Sequence, residues 1–302
     1  MQPMIANGVR IDDSFAEAFG MSATALVITA HDRKWARQAA TTMTGFATSV
    51  IGCGCEAGID REVPAGKTPD GRPGVRVLLF GMSPEALQSA LVARVGQCVL
   101  TSPGSACFSG LEAVERLKLG SAIRYFADGR QISKKFGGKH YWRLPVMDGE
   151  FVCEATAGLT TAAVGGGNLL IMGGSPQNTM RAAEAAAAAM RKVPDVILPF
   201  PGGIVRSGSK VGSKYKALFA STNDAYCPTL RGAVETALDP DIANVLEIVI
   251  DGLAEAAVAG AMRAGLAALV ALGPQTGAAR VGAGNYGGKL GRFHFHLRHL
   301  LG

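Results

Sequence analysis

Two runs of β-branched residues, each ending in a glycine and leading into a helical pattern, lie 171 positions apart. Residues 75–80 (VRVLLF) precede Gly81, and residues 246–250 (LEIVI) precede Asp251 and Gly252. Around each, the chain reads β-α-β-β-α-β. In the first half, strands are predicted at 24–30, 46–51, 75–80 and 98–101, with helices at 33–43 and from Ser83-Pro84 to about residue 95. Ser83 is a good N-cap, and Pro84 suits the first helical position. In the second half, strands are predicted at 168–172, from 196, at 246–250 and at 266–272. The helices there run from Ser175-Pro176 to 192 and over 254–264. This is the pattern of the ferredoxin-like split unit. The expected fold class is therefore α+β, with two ferredoxin-like split β-α-β lobes produced by an internal duplication. Their expected limits are 1–147 and 148–302.

Between the halves, residues 123–126 and 140–144 flank Gly137-Gly138, which predicts a β-hairpin closing the first lobe. Near the end, 289–300 reads as a strand with an alternating core, Phe293-His294-Phe295-His296. Residues 155–180 carry no charge over 26 positions, yet include six glycines and a proline, a poor continuous bilayer helix. They are read as a buried strand with glycine turns, and no membrane partner is expected. Without a basic, then apolar, leader at the start, the expected location is the cytoplasm. The six cysteines include no CxxC pair and are expected to be reduced thiols.

Glycine, at 40 of 302 residues, is nearly twice its usual share of ~7%. Proline stands at an ordinary 14, and hydrophobic residues reach 48%, so the excess marks neither collagen nor a disordered chain. Two glycine clusters imitate nucleotide-binding loops. Residues 203–210 (GIVRSGSK) approach the P-loop, but a serine separates the glycine and lysine that must be adjacent. Residues 282–287 (GAGNYG) satisfy GxGxxG, but an alternating strand follows where a helix N-terminus is needed. What remains is either ordinary turns or backbone brought close to a ligand.

The net charge of +6 is uneven. Seven basic residues and one acid lie in 118–143, four basic residues and no acid in 206–216, and no acid at all from residue 256 onward. These stretches suit small anionic ligands, or form a solvated face. No aromatic interleaving or nucleic-acid module accompanies them, so nucleic acid is not an expected partner. His294, His296 and His299 have no carboxylate or cysteine near them in sequence and are read as an exposed face; no metal site is expected.

Glu247 stands out as an acid inside a buried-strand pattern, with Val245 and Val249 as its same-face neighbours. If it faces inward without a partner, desolvation raises its pKa, and the neutral acid can donate a proton or stabilise an oxyanion. The other possibility is an edge carboxylate paired with an arginine.

Several segments together resemble the formylmethanofuran:tetrahydromethanopterin formyltransferase family. They are Asn7-Gly8-Val9 with Phe15-Ala16-Glu17-Ala18-Phe19, 45–51 (GFATSVI), 68–75 (TPDGRPGV), 96–101 (GQCVLT), 126–129 (FADG), 199–205 (PFPGGIV), Ser207-Gly208-Ser209-Lys210, 247–250 (EIVI) and 283–291 (AGNYGGKLG). The likeness spans nearly the whole chain in order. It implies two ferredoxin-like lobes, dimers or tetramers, and formyl transfer between N-formylmethanofuran, or a related furan carrier, and N5 of tetrahydromethanopterin. Both carriers are then co-substrates, and no tightly bound cofactor is expected.

The basic charge departs from the acidic archaeal pattern and points to a mesophilic bacterial member acting in formaldehyde oxidation, within a formyltransferase/hydrolase complex. The resemblance also places a buried glutamate at the position of Glu247, the expected catalytic residue. With no Ser-His-Asp or Cys-His arrangement in view, direct transfer through a tetrahedral oxyanion is expected. Gly202, Gly203, Ser207, Ser209 and Lys210, with Asn285 and Lys289 from the last loop, are the expected carrier-binding residues. The competing expectation is a carrier-binding scaffold subunit without activity.

Overall fold

The computed structural model describes residues 4–301. Along the chain, β1 (Val9–Ile11) and the long β2 (Phe15–Thr29) lead to α1 (Arg33–Thr44). There follow β3 (Cys55–Val63), β4 (Gly74–Gly81), α2 (Pro84–Arg94) and β5 (Ala106–Ser109). Next come β6 (Ile132–Phe136), β7 (Lys139–Val146), β8 (Gly149–Glu154) and a second long strand, β9 (Thr160–Gly173). After α3 (Pro176–Met190) and β10 (Val196–Ile197), a long loop carries a small hairpin, β11 (Lys210–Val211) with β12 (Ala220–Ser221). The chain closes with β13 (Asn244–Gly252), α4 (Glu255–Thr276), β14 (Arg280–Gly282), β15 (Phe293–His296) and α5 (Leu297–Leu300).

Two compact units emerge, Met21–Ala163 and Met1–Gly20 with Val164–Gly302. This division by packing differs from the sequence-order split at 147/148. β1 pairs with β14, and β15 with the first half of β2, so the N-terminal segment is built into the unit formed by the C-terminal half.

Within Met21–Ala163, β2 lies between β5 and β4, and β4 between β2 and β3, all antiparallel. The order β5-β2-β4-β3 is 4-1-3-2, the ferredoxin-like arrangement. α1 and α2 cover one face and bury Ala36, Ala39, Ala40, Met43, Leu87 and Leu91. In the other unit, β9 lies between β14 and β13, and β13 between β9 and β10, again antiparallel. The order β14-β9-β13-β10 is the same 4-1-3-2. The alanine face of α3 (Ala182, Ala183, Ala186 and Ala187) packs with Val258, Met262 and Leu266 of α4 over Leu246, Ile248 and Ile250 of β13. Small side chains make this close packing possible: a Cβ on Gly265 would collide with Met190.

The two units share a further detail. A Cβ on Gly81 would touch Leu87 at 3.2 Å, and one on Gly252 would touch Val258 at 2.9 Å. In each, the glycine at the end of the third strand of the unit admits the residue six positions on, in the following helix.

Five sequence expectations are corrected. Residues 46–51 form no continuous strand: Phe46 has φ of +50°, and after Thr48–Ser49 the chain enters the short helix Val50–Cys53. The edge strand is β3, whose Glu56, Asp60, Arg61 and Glu62 hide any apolar alternation, as charged edges do. Residues 98–101 belong to or adjoin the π-helical turn Val95–Val99 that extends α2, and β5 supplies the strand. Residues 123–126 are helical; the hairpin turning on Gly137 and Gly138, both at positive φ, is instead β6–β7, with every β6 residue exposed. Residues 266–272 lie inside α4, where their leucines and alanines favour helix, and β14 is the fourth strand of the second 4-1-3-2 sheet. The alternating segment near the end is a strand only over β15. The uncharged 155–180 segment folds largely into β9 and the first turn of α3.

Candidate functional site

The strand that carries Glu247 forms because its run is β-branched and apolar (Val245, Leu246, Ile248, Val249, Ile250). Leu246, Ile248 and Ile250 point into the helix-covered core. Glu247 therefore stands on the opposite face with Val245, which packs against Leu170, Met172, Leu238 and Ile242. The long loop after β10 closes over this face. Its Val205 forms a bridge to Glu247, Val205 N–H donating to Glu247 O at 2.7 Å and Glu247 N–H to Val205 O at 2.9 Å.

The result is an open cleft lined by Glu247, Arg206, Ser207, Asn223, Tyr226 and Cys227. Among the described residues, the Glu247 carboxyl has neither an ion-pair nor a hydrogen-bond partner. Burial alone pushes its pKa from 4.5 up to about 7. Of the two alternatives left open by the sequence, the unpaired carboxyl is the one observed, on the sheet face away from the helices.

Ser207 shares the cleft with Glu247; the other expected binding residues do not line it. Gly202 and Gly203 sit in the turn Pro201–Gly203 at φ of +64° and +81°, with Arg191 donating to the Gly202 carbonyl at 2.5 Å. Ser209 is exposed. Lys210, on β11, holds Asp224 at 2.6 Å, which lowers the Asp224 pKa. Asn285 donates to the Phe15 carbonyl at 3.3 Å and accepts from Gly287 N–H, while Lys289 is exposed.

The last glycine loop is organised by a residue that sequence reasoning passed over. Buried Glu17 accepts four backbone N–H bonds: from Tyr286 and Gly288 on Oε2, at 2.7 and 2.8 Å, and from Leu290 and Gly291 on Oε1, at 2.6 and 2.7 Å. Burial would raise its pKa, but these donors outweigh it and hold the value at about 2. Gly284 N–H is taken by Asn168 at 2.6 Å and Ala283 N–H by Ser14. The GxGxxG donors are thus engaged inside the protein, and no helix follows them. The available signal was a single acid in the apolar run around β2 (FAEAFGMSATALVIT). His294 and His296 do share one side, both rings lying against Phe15 at 4.9 and 5.0 Å.

Residues 4–146 match the family described as formylmethanofuran-tetrahydromethanopterin formyltransferase, and residues 149–300 the family described as FTR, proximal lobe. The chain belongs to the formylmethanofuran–tetrahydromethanopterin formyltransferase family. The formyltransferase of that name from Methylococcus capsulatus is 61% identical over 99% of this chain and 100% of its own. A subunit of the formyltransferase/hydrolase complex of Methylorubrum extorquens is 56% identical, covering 100% of this chain and 98% of its own. Among solved structures, the Methylorubrum extorquens formyltransferase/hydrolase complex with methylofuran contains a chain superposing at a TM-score of 0.97, with 56% identity over 100% of this chain and 99% of that one. The Methanosarcina barkeri formyltransferase superposes at 0.92, with 44% identity over 98% of this chain and 100% of its own. This formyltransferase fold is thus the α+β class expected from the sequence.

Proposed function

We propose that this formyltransferase moves a formyl group between an N-formylmethanofuran-type carrier and N5 of tetrahydromethanopterin, with Glu247 as the acid at the reacting centre. The observation that carries the reading is the unpaired Glu247 carboxyl in its cleft, neutral up to about pH 7. Full-length kinship with relatives named formylmethanofuran–tetrahydromethanopterin formyltransferase supports the substrates.

Chemically, the pterin nitrogen attacks the formyl carbon and a tetrahedral oxyanion forms. The bond from that carbon to the carrier nitrogen then breaks, N5 gives up its proton, and the leaving amine gains one. A neutral carboxylic acid beside that carbon stabilises the oxyanion or protonates the departing nitrogen, which an ionised carboxylate cannot do. Cys227 in the same cleft contacts the Thr222 hydroxyl and the Asn223 carbonyl, with no histidine among the cleft residues to act as its base. This favours direct transfer over a formyl-thioester.

Ser207 meets the carrier beside Glu247. Gly202, Gly203, Ser209 and Lys210 extend the contact along the same loop, where an anionic group competes with Asp224 for Lys210. Asn285 and Lys289 contribute from the last loop. The two carriers act as co-substrates without a resident cofactor. The chain works in the cytoplasm, with further copies of itself and with hydrolase subunits; a relative from Methylorubrum extorquens is part of a formyltransferase/hydrolase complex.

Glu247→Gln tests the central role. Loss of ~10²–10³ in turnover with both carriers, at nearly unchanged KM, is expected. Near-normal turnover overturns it.

A further inference from the structure

Strand register puts a second polar group on the Glu247 face. Leu170 pairs with Glu247 on one side and Gly282 on the other; two residues on, Met172 pairs with Val245 and Arg280. Arg280 thus stands on the same face as Glu247, away from α3 and α4. Its guanidinium makes four hydrogen bonds. Nε and Nη2 hold Asp12 at 2.8 and 3.1 Å, while Nη1 reaches Asp239 at 3.0 Å and the Ala237 carbonyl at 2.9 Å. Asp12 can lie there because β14 offers a glycine beside it: a Cβ on Gly282 would come within 2.7 Å of its carboxylate.

The contacts lead onward to the cleft. Ala237 N–H donates to the Ala225 carbonyl at 2.9 Å, next to Tyr226, and Tyr226 packs against the cluster of Leu170, Met172, Leu238 and Ile242 while lining the Glu247 cleft. Arg231 braces the far end of the segment, donating to the carbonyls of Asp239 at 2.6 Å, Pro240 at 3.2 Å and Ile242. Arg10 adds a bond to Asp241 at 3.1 Å.

We propose that Arg280 is a positioning residue for formyl transfer, clamping the 225–242 segment through Asp12, Asp239 and Ala237 so that Tyr226 walls the Glu247 cleft and keeps water from the carboxyl. The inference rests on the role given to Glu247 above. Arg280 does not line the cleft and acts only through the segment it holds. Its bonds to Asp12 raise its own pKa, so the clamp stays charged wherever the enzyme works.

The groups facing Glu247 are Arg206 and Ser207 from the 205–208 stretch, Asn223, Tyr226 and Cys227 from the overlying loop, and Leu170 from β9. Of these, Arg206, Tyr226 and Cys227 can carry charge; burial raises the Tyr226 pKa further and keeps it neutral near pH 7. Loosening the wall therefore changes the hydration of Glu247 without adding a countercharge, and its midpoint falls.

The test uses the full chain in three forms: native, Arg280→Gln and Asp239→Asn. Asp239→Asn removes the charge from one arm of the clamp, and from the Arg10 pair that Asp239 also makes at 3.3 Å, but leaves Arg280 on Asp12, so it serves if Arg280→Gln does not fold. The Glu247 carboxyl is titrated by ¹³C NMR, with Glu247→Gln identifying its signal, and pH profiles of kcat are recorded in parallel. The native midpoint is expected at about 7. Both variants should lower it, Arg280→Gln by about one pH unit or more, a tenfold shift in the protonation equilibrium. The alkaline limb of kcat should move with it. An unchanged midpoint in Asp239→Asn and in folded Arg280→Gln overturns the clamp. Because the titration reads Glu247 directly, it judges the clamp even if Glu247→Gln proves fully active, the separate result that would sink the acid role.

Discussion

Glu247 and Glu17 belong to one compact unit and sit at opposite ends of the carboxylate range. Glu247 is walled by Leu170, Val205 and Tyr226 with no donor among the described residues aimed at it, and burial lifts it to about 7. Glu17 is also shielded from solvent, but four N–H groups bring it to about 2. The backbone donors on Glu17 and their absence at Glu247 set the two apart, and this gives opposite pH signatures. A carboxyl whose folded pKa is raised contributes stability that is complete below its unfolded value, about 4.5, and is lost as pH rises through about 7. Neutral Glu247→Gln escapes that loss. Its stability relative to the native chain, measured by urea unfolding, should rise between pH 5 and pH 8 by up to about 3 kcal/mol, while its activity falls. For Glu17 the sign reverses: its contribution is present above about 4.5 and is lost as pH falls through about 2. Glu17→Gln turns an amide NH₂ towards backbone donors and should cost about 3 kcal/mol at pH 7, with the deficit closing as the pH drops below 4.5. A flat deficit down to pH 2 would contradict this. Glu247 was legible in the sequence because an acid interrupts a β-branched run. Glu17 interrupts an apolar run just as visibly, but its partners lie some 270 residues on, in a loop whose glycines read as free donors.

At the scale of elements, local capping chemistry is repeated among the four long helices, α1 to α4, with one gap. Asp32, Ser83 and Ser175 cap α1, α2 and α3 by accepting from the N–H three residues on. Ala254, in the same position before α4 and with the same extended backbone (φ −151°, ψ 156°), has no side chain that can do so. Ala254→Ser should stabilise the chain by about 0.5–1 kcal/mol, read as a higher melting temperature; no change would show that α4 is held by packing alone. Caps and β-branched strand cores are what made most elements legible. Misreadings cluster where the hydrophobic pattern fits two structures or none. Residues 266–272 are apolar throughout and suit strand or helix until the length of α4 decides. β3 is charged and β6 wholly exposed, so neither shows the alternation of a half-buried strand.

At the scale of the whole molecule, the strand order 4-1-3-2 occurs twice, and Gly81 with Leu87 corresponds to Gly252 with Val258 at one constant spacing of 171. An internal duplication accounts for both and is our reading of their origin. Only one copy holds the acid: Glu247 minus 171 is Arg76, whose guanidinium pairs with Asp60 on the neighbouring strand. The same strand position therefore serves packing in one unit and, in our account, chemistry in the other. The most direct test is a two-carrier assay with the purified chain, following formylated tetrahydromethanopterin made from the formylated furan carrier. The account predicts turnover by the native chain and a ~10²–10³-fold loss in Glu247→Gln. Binding of both carriers without turnover would contradict it and leave a scaffold subunit in its place.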